Sequence, residues 1–451
     1  MLPSNPPTVD GFSSAMPVTS CRMCASAKLR QFIDLGFTPL ADAFLRAGQL
    51  QEPETHYPLQ VSQCEDCGLA QLTRVVSPEV LYRHDYPYES SGTQAGRRHW
   101  KEFADSVCEQ LALTDRDLVI DIGSNVGVLL ACFRNNGTRI LGIDPASNIV
   151  RIAEKRGIET WDDFFGSNVA ERILREKGKA TVITATNVFA HVNELREFMF
   201  AVDALLADDG VFILEAPHFG HLVQSLEYDT IYHEHVSYLS LKPLQQFLDQ
   251  CAMEVFDVQE KDIHGGSFRA FVSRPGRYQV ADSVRKMLIW ENEIGLYEAP
   301  VLDEFAGKVE ANRSELLWLL HNLKQQGKRI AGVSAPAKGM TLLNYCHIGP
   351  ELLDFVTEKS RLKIGRYTPG MHIPVLDDEA LVRHKADYAL LLAWNFAEEI
   401  MGNLKDFAQQ GGQFIVPVPS PRIVARSRTT RHAASSPTQS RGMQWKSATR
   451  P

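Results

Sequence analysis

The chain has 451 residues, 44% hydrophobic and 23% charged, which is too long for one ordinary core and should divide into two or three units; the composition excludes a mostly disordered protein. A formal net charge of -8, from 47 basic and 55 acidic residues, argues against general nucleic-acid binding, which needs clustered positive charge. No apolar run approaches the ~20 residues of a membrane span, and MLPSNPPTVDGFSSAMP lacks the basic and apolar regions of a secretion signal, so a cytoplasmic protein with no membrane partner is expected.

In chain order, residues 1–16 read as a disordered tail and 17–80 as a small module of short alternating runs and knuckle-like turns. Within it Cys21, Cys24, Cys64 and Cys67 form CxxC, 39 residues, CxxC. Two residues between thiols let each pair grip one ion from a tight turn, and four thiolates complete tetrahedral zinc with no place left for water, so the site is structural. Without a secretion signal, metal is favoured over disulfide. Cys108, Cys132, Cys251 and Cys346 show no pattern and read as core fillers.

Residues 81–275 form the second unit. RRHWKEFADSVCEQLAL carries apolar positions at helical spacing. From Leu118 the grammar becomes strand, loop, helix, repeated: LVIDIGSNVG, VLLACFRNN, RILGIDPA, NIVRIAEKRG, then GKATVITATNVFAHV, LREFMFAVDALLADDG and VFILEAP. Alternation at this spacing predicts a parallel, doubly wound sheet. Residues 276–420 open with a long helical region and continue as another α/β unit, with strands predicted in KRIAGVSA, ELLDFVTE, ADYALLLAW and GGQFIVPVP. Residues 421–451, basic and rich in Ser and Thr, read as a disordered tail.

Three motifs carry chemistry. In DIGSNVG, Asp121 closes a strand and Gly123, Ser124, Asn125 and Gly127 form the turn into a helix, where backbone can lie close to a ligand and the acid can pair with a cationic amine. Twenty-one residues past Gly123, Asp144 closes the next strand, the position from which a carboxylate holds ribose hydroxyls. The spacing DxGxxxG differs from the GxGxxG that packs against a pyrophosphate, which favours S-adenosylmethionine, with a sulfonium and no phosphate, over NAD. Asn187 and the pair Asp162-Asp163 are further candidates for this pocket.

The second motif, YDTIYHEHVSY, fails HExxH logic because its histidines stand at i and i+2. Extended, it would point His233 and His235 one way and Glu234 the other; in a turn, any of them could enter a cleft. His235 could take a proton from a carbon beside a ketone while Tyr232, Tyr86 or His191 donates to the developing enolate, with Glu234 orienting an imidazole or binding the substrate. The alternative is a polar, hydrogen-bonded core segment. In the third motif, SAPAKG sets Lys338 at a strand end opening a helix, where amides and a lysine can hold a diphosphate; His264 and Ser267 of HGGS, and Lys363, Arg366, Tyr367 and His372 around GRYTPG, could complete that grip.

The succession CxxC…CxxC, DYPYESS, DIGSNVGVLL, TATNVFAHV, YDTIYHEHVSY, HGGSFR, SAPAKGMTLLNY, GRYTPGMHIP and AWNFAEEI, from Cys21 to Pro419, resembles the zinc-containing sugar C-3 methyltransferases of antibiotic deoxysugar biosynthesis. The resemblance implies a zinc-binding domain, a class I methyltransferase domain with a Rossmann-like fold and a C-terminal Rossmann-like domain, with S-adenosylmethionine and Zn2+ as cofactors. It further implies methyl transfer to C-3 of a dTDP-4-keto-deoxysugar, with His235 as base and Tyr86, His191, Tyr232 and Glu234 lining the sugar pocket, in a monomer or weak homodimer. Asp144 stands where the family's pattern has Glu, and the tail after Val424 has no counterpart in it. A methyltransferase acting on another glycan or secondary metabolite, an NAD-dependent sugar oxidoreductase and a catalytically inert zinc-ribbon interaction protein are the other readings.

Overall fold

The computed structural model describes residues 15–83, 85–90, 94–263 and 265–424. His264 and most of both expected tails lie outside the described residues. The strands, in chain order, are β1 (Ala15–Pro17), β2 (Leu29–Thr38), β3 (Tyr57–Cys64), β4 (Ala70–Leu72), β5 (Arg74–Val76), β6 (Leu118–Ile122), β7 (Arg139–Asp144), β8 (Thr160–Asp162), β9 (Ala180–Thr186) and β10 (Leu206–Pro217). They continue as β11 (Ser237–Tyr238), β12 (Glu254–Lys261), β13 (Ser267–Ser273), β14 (Ile330–Val333), β15 (Val356–Thr357), β16 (Val375–Leu376), β17 (Tyr388–Leu391), β18 (Gln413–Val416) and β19 (Arg422–Val424).

The central sheet has the order β12-β13-β10-β9-β6-β7-β8. Its five strands from β10 to β8 are parallel, as the alternation requires, whereas β13 and β12 run antiparallel and form a hairpin on the β10 edge. That hairpin lies in a stretch to which sequence reading assigned no element. β6 is buried throughout, and the helix Ser147–Lys155 buries Ile149, Val150 and Ala153 on one stripe, each large apolar side chain contributing about 1.5–3 kcal/mol. β6, the first strand, lies between β7 and β9, so chain direction reverses there and opens a crevice beyond the carboxyl ends of the strands.

The C-terminal sheet repeats this plan in the order β16-β15-β14-β17-β18-β19. Its first strand, β14, is flanked by β15 and β17, all parallel, while β19 is antiparallel. The long helical region before it is two helices, Asp282–Glu293 and Ala299–Gln325, because Gly295 turns through a left-handed conformation and Pro300 stands in the first turn of the second.

The zinc-module sheet, β11-β4-β3-β2, recruits β11 from the middle of the chain, pairing Ser237 with Gln71 and Tyr238 with Ala70. One apolar core joins Phe32, Leu59 and Leu72 of this module to Phe219 and Tyr228 of the middle segment and to Phe305 and Met340 of the C-terminal unit. The three units therefore share a core: residues 219–238 leave the central sheet and pack among all three. Both tail boundaries shift as well. Residues 15–17, partly assigned to a tail, pair with β5 because Ala15 packs on Tyr57 and Val76, and residues 422–424 pair with β18.

Candidate active site and zinc centre

Cys21 and Cys24 share one turn, closed by the Ala25 amide donating to the Cys21 carbonyl, and Cys64 and Cys67 share another, closed by Gly68 donating to Cys64. The four sulfurs lie within 4.8 Å of one another, with Cys21–Cys67 and Cys24–Cys64 at 3.5 Å. Tetrahedral zinc with Zn–S of ~2.3 Å needs sulfurs ~3.8 Å apart, so this donor set fits the ion and leaves no open position. Between the ligands, Arg22 reaches out of the turn. Its guanidinium donates to the Val236 carbonyl at 2.8 Å, to Asn193 Oδ1 at 3.0 Å and to the Leu72 carbonyl at 3.4 Å.

At the central crevice, Gly123 has φ +66°, and a Cβ there would come within 2.3 Å of Val188 Cγ2, so the turn requires glycine. Asp121 is buried, accepts the Thr184 hydroxyl at 2.6 Å, and is pushed up to about 7 by burial. Asp144 accepts the Asn125 amide at 2.9 Å and the Ala146 amide at 2.9 Å, and burial raises it to about 6. Asn187, at φ +55°, and Ser124 hold buried side-chain oxygens without a hydrogen-bond partner among the described residues. Two desolvated carboxylates and two unfilled oxygens suit a cationic ligand rich in hydroxyl and amine donors. S-Adenosylmethionine has that chemistry, and Asp121, Ser124, Asn125, Asp144 and Asn187 are the residues that could hold it.

YDTIYHEHVSY adopts a turn, with the His235 amide donating to the Tyr232 carbonyl at 3.0 Å. The extended alternation is thus not adopted. His233 turns into the core, where its ring meets Tyr57 edge-on at 5.7 Å and burial lowers it to about 4, whereas Glu234 and His235 both line the cavity. His235 Nδ1 lies 2.8 Å from the Thr230 carbonyl, which can only accept, so in the neutral ring the proton sits there. Nε2 is then the acceptor of the Tyr232 hydroxyl at 2.8 Å. The His191 ring stands 4.9 Å from His235, lies 3.1 Å from the Tyr82 hydroxyl, and is kept neutral by burial, which lowers it well below its usual value. Glu234 accepts the Tyr86 hydroxyl at 3.0 Å; burial and then nearby Asp42 push it up to about 8.

One cavity of about 940 Å³ joins the cofactor turn to Glu234 and His235, a volume typical of ligand sites. Its wall runs from Asp121, Gly123, Asp144 and Asn187 past Tyr86, His191, Tyr232, Glu234 and His235 to Ser334, Lys338, Glu358 and Asn395 at the β14 crevice. Asp163 also lines it, while Asp162 pairs with Arg83 at 3.4 Å. At the C-terminal end, Lys338 Nζ lies 3.9 Å from buried Asp229 and 4.3 Å from the Trp394 ring.

Other expected substrate contacts are engaged within the protein. Ser267 is buried and donates to the Ile263 carbonyl. Arg366 pairs with Asp85 at 2.9 Å beside a smaller neighbouring cavity of about 310 Å³. Tyr367 exchanges backbone bonds with Leu45, and His372 lies 3.0 Å from Glu54. Lys363 lines the main cavity but bonds Asp42 at 3.1 Å and the Ala335 carbonyl at 2.7 Å.

Sequence reading passed over Asp42, Tyr82, Arg22 and Glu358. The last had a signal: it directly follows the second strand of the C-terminal unit, much as Asp144 ends the second strand of the central one, and accepts the Ala335 amide at 2.8 Å just as Asp144 accepts Asn125.

Family models described as a putative zinc binding domain, a methyltransferase domain and a C-methyltransferase C-terminal domain match residues 21–82, 96–255 and 262–419. The chain is 37% identical over 414 residues to the C-methyltransferase NovU of Streptomyces niveus, covering 92% of this chain and 98% of that one. Among solved structures, a S-adenosylmethionine-dependent methyltransferase from Clostridium acetobutylicum ATCC 824 aligns at 14% identity, 40% of this chain and 92% of that one, with a TM-score of 0.33. Magnesium protoporphyrin IX methyltransferase (ChlM) from Synechocystis PCC 6803, with bound SAH, aligns at 15% identity, 42% and 90%, with a TM-score of 0.32. The likeness to NovU along nearly the whole chain, together with the three family models, carries the assignment: this chain belongs to the zinc-containing C-methyltransferase family and is a S-adenosylmethionine-dependent methyltransferase.

Proposed function

We propose that the methyl acceptor is C-3, the carbon beside the keto group, of a nucleotide-activated 4-keto-deoxysugar. The observation that carries the reading is the orientation of the His235 ring: its Nδ1 faces the Thr230 carbonyl and its Nε2 meets the Tyr232 hydroxyl, and both side chains line a cavity shared by the cofactor loop and a second α/β crevice bearing Lys338. The Tyr232 hydroxyl turns from His235 Nε2 to the 4-keto oxygen, the freed Nε2 takes the C-3 proton, the electron pair passes into the 4-keto group as an enolate, and C-3 then forms its bond to the methyl carbon as the carbon–sulfur bond breaks. S-Adenosylmethionine supplies the electrophilic methyl. The proton on His235 leaves to solvent after the product departs.

Tyr232, on leaving Nε2, and His191 would donate to the oxygen that develops charge beside that ring, and donors placed where charge appears are worth several kcal/mol in a water-excluded site. Glu234, neutral at pH 7 when held near 8, donates to a sugar oxygen or, on losing its proton, accepts from an amine. The nucleotide diphosphate runs toward Lys338 and the first turn of the helix Ala337–Cys346. Likeness to the C-methyltransferase NovU supports carbon as the methylated atom.

The test is incubation of the zinc-loaded enzyme with labelled methyl donor and a panel of dTDP-4-keto sugars, the product being read by mass and NMR. Incorporation of one methyl at C-3 is expected. Methylation at oxygen or nitrogen, or of no member of the panel, rejects the assignment.

A further inference from the structure

Residues 85–90, DYPYES, form a strap beside the central crevice, and Tyr86 through Ser90 all line the cavity. Two asparagines stitch this strap to the cofactor side. Asn148, in the first turn of the helix after β7, accepts the Tyr86 amide at 3.2 Å and donates to the Tyr86 carbonyl at 2.8 Å. Asn125, inside the glycine turn, accepts the Ser90 amide at 2.9 Å and donates to the Tyr88 carbonyl at 3.1 Å. Each carboxamide uses both ends on backbone, a pairing that a carboxylate or hydroxyl of similar size cannot reproduce. The same strap carries the Tyr86 hydroxyl to Glu234 and sets Asp85 between Arg46 and Arg366. Asn125 also donates its own amide to Asp144, so one residue touches both the expected ribose acid and the strap.

We infer that Asn148 is a positioning residue which, with Asn125, couples the methyl-donor site to the sugar side: occupancy of the cofactor turn fixes the strap and thereby aims Tyr86 at Glu234. The residue acts through Tyr86 and lies outside the cavity wall. The inference concerns how the two sites communicate, and only its kinetic arm rests on the sugar reading above.

Asn148→Asp keeps one acceptor, loses the donor and sets charge against the Tyr86 carbonyl, while an acid in the first turn is favourable to the helix itself; Asn148→Ala removes both bonds without charge. Hydrogen exchange of strap amides is measured in the zinc-loaded full chain with and without S-adenosylhomocysteine. The parent protein should show at least fivefold slower exchange at Tyr86, Tyr88 and Ser90 when the ligand is bound. Both variants should lose that protection while binding the ligand within threefold of the parent. Equal exchange with and without ligand in the parent, or unchanged protection in both variants, overturns the inference, and neither result depends on which sugar is methylated. In the kinetic arm, Asn148→Ala should lower kcat/KM for the acceptor about tenfold but less than twofold in a Tyr86→Phe background. Independent, multiplying losses would show that Asn148 does not act through Tyr86.

Discussion

The two crevices that meet in the cavity share a plan and differ in charge. In each, the first strand is flanked on both sides, a loop opens a helix, and an acid at the end of the second strand accepts an amide from that loop: Asp144 from Asn125, Glu358 from Ala335. The central crevice adds a buried carboxylate, Asp121 near the end of β6, and glycines in its loop. Its C-terminal counterpart instead puts Lys338 in the helix's first turn and holds Ser334 at φ +69°. One topology thus builds an end suited to a cationic donor and an end suited to an anionic handle; side chains, not the fold, make the distinction.

The sharpest way to break this comparison is to remove the group between the two ends. His235→Gln should lower kcat by about 10³, within the range for loss of a general base, while each ligand binds nearly as before, because neither crevice is altered. Unchanged kcat would remove His235 from the chemistry.

At the donor end, Asp121 is held near 7 by burial, so it is partly protonated at neutrality, and a ligand cation would pull its pKa down. Binding below that pH therefore expels a proton, and affinity for S-adenosylmethionine should weaken as pH falls from 7 to 6, by up to about tenfold per unit. Asp121→Asn should weaken binding roughly 30-fold, the scale of one lost charge-assisted contact, and flatten this pH dependence near neutrality. Calorimetric titration across pH 5.5–8 checks both. An equal loss of affinity for the nucleotide sugar would erase the division of labour between the ends.

At the other end, Lys338→Met should raise KM for the nucleotide sugar about tenfold and leave donor affinity within twofold. Steady-state kinetics with each substrate varied in turn separates the two, and a change confined to the donor would reverse the assignment of the C-terminal crevice.

How much of this was readable follows the range of the interactions. The DIGSNVG turn, the Asp144 spacing and the cysteine pairs are local patterns, and local backbone rules suffice to read them. β11 was unreadable, because two residues have no periodicity and its partner β4 lies more than 160 positions away. The segment at His235 could be read either as a turn or as an extended strand, since the contact that accompanies the turn, His233 on Tyr57, joins residues far apart in the chain. Ser267 and Arg366 looked like ligand groups by residue type, yet the structure spends them on the Ile263 carbonyl and Asp85.

That long-range pairing ties the zinc module to the segment that carries His235, and the smallest expected effect tests whether the tie matters to the chemistry. Arg22 lies between two zinc ligands and donates to the carbonyl of Val236, the residue next to His235, and to Asn193, which lines the cavity two residues from His191. Burial lowers Arg22 to about 10, far above neutrality, so it is cationic at working pH. Lysine keeps the charge but offers one nitrogen where the guanidinium bridges several acceptors, so Arg22→Lys should retain one zinc per chain and normal donor affinity while kcat falls about fivefold. Stripping the zinc releases the whole turn and should cost both kcat and thermal stability. If Arg22→Lys lowers zinc content in step with activity, the arginine merely supports the metal. If kcat falls with zinc intact, the metal-bound turn is what holds the base in register with the two ends of the cavity.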